Sequence, residues 1–72
     1  MKDYHINIFY IDEDEGYIAD IPDLEFCSAF GESPEEALRN VLAAQKLWIE
    51  AARGSNKPIP KPKYRPAIHQ IS

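Results

Sequence analysis

The four consecutive carboxylates Asp12-Glu13-Asp14-Glu15 are the densest cluster of reactive side chains in the chain, and hard divalent cations take several such oxygens at once. The calcium-loop pattern nevertheless fails on spacing. Counted from Asp12, its fifth position needs a ligand and holds Gly16, while its sixth needs glycine and holds Tyr17. Metal-dependent phosphodiester cleavage would need carboxylates converging from rigid elements, whereas the middle of the first extended segment offers His5 and Asn7. Nucleophilic chemistry has one candidate in Cys27, with His5 and His69 as the two conceivable bases. No glycine-rich elbow or third orienting group accompanies them. Cys27 therefore reads as a small buried hydrophobe and the histidines as surface or edge-strand residues. No catalytic residue, cofactor-binding residue or metal ligand is assigned, and no enzyme is expected.

These residues are positioned by elements that punctuate the chain clearly. Residues 4–11, YHINIFYI, alternate with the period of a strand. GYIADI, residues 16–21, gives a second strand across the acidic loop, and a third over 26–31 ends at Gly31. Next comes GESPEEAL. Ser33 can cap a helix, Pro34 suits its first position, and Glu36 can reach back to the Ser33 N–H to complete a capping box. Ala37, Leu38, Val41, Leu42, Trp48, Ile49 and Ala52 then form one stripe of a helix over 34–53, with Gly54 as its left-handed terminating residue. Residues 55–66 make an extended Lys/Pro connector, and 67–71 suit a last strand.

The predicted layout is one α+β domain over 1–72, β-β-β-α-β, a small antiparallel sheet with a helix packed on one face. Alternation sends Phe9, Ile18, Phe26 and Phe30 to the face away from the helix, a polar-rimmed apolar surface suited to an oligomer interface.

At 44% hydrophobic and 28% charged, the composition is that of an ordinary globular chain. No apolar run reaches the ~20 residues of a membrane span, no signal peptide is recognisable, and a lone cysteine suits a reducing compartment, so a cytoplasmic protein is expected. Seventy-two residues bury a modest core, which favours a homo-oligomer, dimer or tetramer, or a partner. Charge is divided sharply. In residues 1–36 Lys2 stands against eleven carboxylates, a charge of −10, whereas residues 37–72 hold seven Lys or Arg against Glu50, or +6. The acidic half points to a basic partner, with Asp12, Glu13, Asp14, Glu15, Asp20, Asp23 and Glu25 as contact residues that offer carboxylates in place of phosphates. The connector, with Lys57, Lys61, Lys63, Tyr64 and Arg65, could track a phosphate backbone, but it holds no recognisable nucleic-acid module. A tether packed across the acidic strands is the preferred reading.

Taken together, IPDLEFCSAFGESPEEAL, the helix after it and GSNKPIPKP resemble the HicB family of antitoxin domains over nearly the whole chain. That family shows a Pro-Asp-Leu turn, a Gly-Cys pair, a short strand to Gly-Asp-Thr, then Glu-Glu-Ala-Leu and a late Gly followed by Ile-Pro-x-Pro. Pro22, Asp23 and Leu24 match the turn, Cys27 the cysteine, and Gly31, Glu32 and Ser33 the Gly-Asp-Thr with conservative changes. Glu35 to Leu38, Gly54 and Ile59 to Pro62 match fully. The departure is Glu25-Phe26, where the family has Pro-Gly. The resemblance implies a partial ribonuclease-H-like fold without that fold's catalytic carboxylates, used to bind and block a small RNA-cleaving toxin of the HicA family. The chain stops about ten residues after Ile59-Pro60-Lys61-Pro62, so the DNA-binding domain that family antitoxins append, and operator binding with it, is not expected. The alternatives are an RNA-binding or residual nuclease domain of ribonuclease-H-like ancestry, and a solitary HicB-like protein without a toxin.

Overall fold

In the computed structural model, which describes residues 3–64, the first strand forms over Asn7–Ile11 (β1), the second over Gly16–Asp20 (β2) and the third over Ser28–Gly31 (β3). They make one antiparallel sheet in the order β1-β2-β3, and a 21-residue helix, Pro34–Gly54 (α1), packs on one face. The α+β architecture is as expected. The last strand expected over 67–71 lies outside the described residues.

Each strand is shorter than its alternating pattern, for a local reason. Pro22 has no N–H to carry the ladder on, and the Ile21 N–H, opposite Cys27 in register, gives the last bond to β3's side at 2.9 Å from the Cys27 carbonyl. β2 therefore ends at Asp20, opposite Asn7, and residues 4–6 have no strand to pair with on that side. Two turns then follow in succession, closed by Leu24 N–H to Ile21 O at 3.0 Å and Cys27 N–H to Leu24 O at 3.2 Å. Phe26 is the third residue of the second turn and has φ 59°, the left-handed region where glycine is the usual occupant. That explains the departure from Pro-Gly: the turn is kept, and phenylalanine bears its strain. It also delays β3 to Ser28.

The helix start is built largely as predicted. Ser33 is extended at φ −138° and its Oγ accepts from the Glu36 N–H at 3.1 Å. The Glu36 carboxylate reaches one residue further back than a standard capping box, accepting from the Glu32 N–H at 2.5 Å. At the other end the terminating residue is not Gly54, which stays helical. The chain turns at Asn56, φ 57°, with Lys57 N–H on Ala52 O at 2.8 Å and Asn56 N–H on Arg53 O at 3.2 Å, the two bonds of a Schellman ending.

Ala19, Ile21, Leu24, Cys27, Ala37 and Val41 form one buried cluster, with Tyr4, Ile6, Tyr17, Ala29, Ala44 and Trp48 packed around it. Alanines let α1 approach closely, and Gly31 lets it approach closest, since a Cβ there would lie 2.2 Å from the Ala37 nitrogen. α1 lies mainly over β3 and β2 and only grazes β1. Leu38 and Leu42, expected in the buried stripe, are consequently half exposed, and so is Ile8 on β1.

Candidate protein-binding surfaces

Asp12 to Glu15 form the turn between β1 and β2, every side chain exposed. The Glu15 N–H bonds to the Asp12 carbonyl at 3.2 Å, and Glu15 itself takes φ 49°. Four carboxylates thus project from a hairpin tip whose base is braced by Tyr10 and Tyr17, rings edge to face at 5.3 Å. Asp20, Asp23 and Glu25 lie at the opposite end of β2, roughly 13 Å away at the usual strand rise. The structure therefore divides the seven predicted contact residues into two groups.

Asp23 has an internal task. Its carboxylate accepts the backbone N–H groups of Lys63, at 3.2 Å, and Tyr64, at 3.1 Å to either oxygen. Two further contacts fasten the same connector: the Tyr4 hydroxyl donates to the Pro60 carbonyl, and the His5 ring lies against Tyr64, centroids 4.8 Å apart and tilted by 45°, while its Nε2 lies 2.7 Å from Asn7 Oδ1. The Lys/Pro segment is thus packed along the residues that precede β1. Removing the carboxylate should loosen this segment most. In Asp23→Ala the amides of Lys63 and Tyr64 are expected to exchange about tenfold faster, whereas those of β2 lose only the roughly fivefold protection that a cost of about 1 kcal/mol in overall stability implies. Hydrogen exchange read residue by residue checks it.

The sheet face away from α1 carries a continuous row, because Phe9 pairs with Ile18 and Ile18 with Phe30. Phe9 is 47% exposed and Phe30 41%, although the Phe30 ring also covers Gly16, whose Cβ position would fall 2.2 Å from it. Asn7, Asp20 and Ser28 are neighbours in register and form the polar end of this face. Phe26 does not join the row. It stands in the turn before β3, 95% exposed, at the mouth of a cleft of about 560 Å³ walled by Trp48, Ala52, Pro58 and Pro60. Trp48 is fixed there by donating its indole N–H to the Glu25 carbonyl at 2.9 Å. Periodicity alone could not reveal this cleft or the Asp23 anchor, since each joins residues more than twenty positions apart.

Cys27 is buried, and burial pushes its thiol above the usual range, which disfavours the nucleophilic thiolate. Among the described residues no three His, Cys, Asp or Glu side chains come together as a metal site, and no helix is long and apolar enough to cross a membrane.

The chain is similar to two UPF0150 proteins of Synechocystis sp., at 36% identity over 53 residues (74% of this chain, 73% of the relative) and 40% over 48 residues (67% and 61%). A third, the UPF0150 protein of Thermoplasma acidophilum, is 36% identical over 50 residues (69% and 72%). No solved structure matches. Residues 4–70 match the family model described as the HicB_like antitoxin of bacterial toxin-antitoxin systems, a span that includes the cap, the turns and the helix described above. The chain belongs to the HicB-like antitoxin family.

Proposed function

We propose that this protein neutralises a small basic RNA-cleaving toxin of the HicA type by docking on it, without catalysis of its own. The observation that carries this reading is the acidic tip Asp12 to Glu15, four exposed carboxylates gathered in one hydrogen-bonded hairpin turn. A toxin that grips RNA presents cations around its active site, and carboxylates in fixed positions compete for them as phosphates do. Membership in an antitoxin family supports a protein partner of this kind. The apolar row Phe9, Ile18 and Phe30 supports self-association, since each buried aromatic contributes through roughly 25 cal/mol per Å² removed from water. A cytoplasmic site of action follows from such a target.

The test uses a purified HicA-like toxin and a structured RNA, with magnesium or manganese present. The RNA is expected to survive once antitoxin reaches equimolar amounts, and to survive antitoxin alone. RNA degraded at the same rate with and without a stoichiometric excess would overturn the proposal. Cleavage by this protein in the absence of toxin would favour the nuclease reading instead.

A further inference from the structure

We infer that the cleft beside Trp48 is a second self-association site, in which Phe26 of each copy enters the cleft of the other across a two-fold axis. Three observations point there. Phe26 is 95% exposed and is held out by a turn that puts it at φ 59°, so the fold bears both strain and solvent-exposed aromatic surface at one residue. The cleft beside it, which Phe26 itself helps to line, measures about 560 Å³, ample room for a second ring, with apolar walls from Trp48, Ala52, Pro58 and Pro60. A knob beside its own hole is self-complementary under a two-fold rotation, which places each ring in the partner's cleft. The rim adds charge complementarity. Glu25 and Lys57 line the cleft together with Asp23, so a two-fold contact brings together two rims that each carry both signs. A basic toxin would find a mixed rim here, whereas the same mixture suits a second copy.

The contact is small. Two phenylalanine rings and the walls they cover amount to roughly 800 Å² in total, below the ~1,200 Å² of a standard interface, so the association is weak, with Kd on the order of 100 µM. It is distinct from the row on the sheet and independent of the toxin reading.

Trp48, the single tryptophan, reports cleft occupancy directly. The experiment follows its emission together with sedimentation equilibrium from roughly 1 µM to 1 mM, in Phe9→Asp protein so that the sheet face is silent. Emission should move to shorter wavelength as the protein dimerises. Phe26→Gly should abolish both signals while raising the melting temperature by a few degrees, because glycine accepts φ 59° without strain. Glu25→Lys should weaken dimerisation several-fold, and adding Lys57→Glu to it should restore the parental constant. Identical association in Phe26→Gly, or an emission shift that appears only when toxin is added, overturns the inference, the second outcome assigning the cleft to the toxin.

Discussion

Gly31→Ala is expected to lower the melting temperature by roughly 15 °C, a large effect for one added methyl group. The added carbon would sit 2.2 Å from the Ala37 nitrogen and 2.7 Å from both the Ala37 Cα and the Glu36 carbonyl carbon. All three are backbone atoms of the first helical turn, so no side-chain rotation relieves the overlap. That turn is pinned by the Ser33 cap and by Asn40, whose side-chain amide donates to the Phe30 carbonyl at 2.8 Å. The helix must shift as a body, at a cost of about 3 kcal/mol, a large part of the ~4 to 11 kcal/mol that holds a domain of this size together. Gly54→Ala is the contrast. Nothing lies within 4 Å of its Cβ position and its φ is not positive, so alanine there should stabilise the helix by about 0.5–1 kcal/mol. Thermal unfolding followed by far-UV circular dichroism compares the two; equal melting temperatures would show that the close approach of β3 and α1 is not a constraint.

Neutralising the hairpin tip, with Asp12→Asn, Glu13→Gln, Asp14→Asn and Glu15→Gln together, is expected to slow association with a HicA-like toxin about 10- to 100-fold at low salt. Dissociation should change far less, because steering acts on the encounter while buried apolar contacts hold the complex. The difference should narrow near physiological ionic strength, where charges are screened beyond about 8 Å, so the variant's rate plotted against salt should be nearly flat. Thermal stability should hardly move. The four side chains are exposed, and the bond that closes the tip, Glu15 N–H to Asp12 O, is made by backbone. Stopped-flow association rates across a salt series decide the matter, and equal low-salt rates for parent and variant would sink the phosphate-mimic idea while leaving family membership untouched.

What could be read from the residues was what depends on near neighbours. Alternation in NIFYI and GYIAD placed β1 and β2, and the sequence ESPEE placed the helix start to the residue. The errors fall where two local solutions compete. Gly54 and Asn56 both tolerate left-handed backbone, and the helix uses the second because one more turn residue lets Lys57 bond to Ala52. Glu36 had two N–H groups within reach and took that of Glu32. Phe26 looked like a strand residue because an aromatic at a left-handed position leaves no trace in a hydrophobic pattern. The remaining surprises are non-local. Whether Leu38 and Leu42 are covered depends on where α1 crosses the sheet, and the Asp23 anchor joins residues forty positions apart. Of the predicted contact residues, Asp12 to Glu15 are exposed, and Asp23 is committed within the chain.

The connector's fastenings also set an order of events in folding. β1 meets β2 across a four-residue turn, β2 meets β3 across seven residues, and β3 leads into α1 almost at once, so most of the core closes through short loops. Tyr4 with Pro60 and Asp23 with Lys63 instead join points 56 and 40 residues apart. If the connector docked first, it would bear the entropy of closing those long loops on an otherwise open chain. Once sheet and helix have formed, the same ends already lie near each other and that cost has largely been met. The connector is therefore a late arrival, absent from the folding nucleus, and the bonds made by Asp23 and Tyr4 act on how slowly the native state comes apart rather than on how quickly it forms.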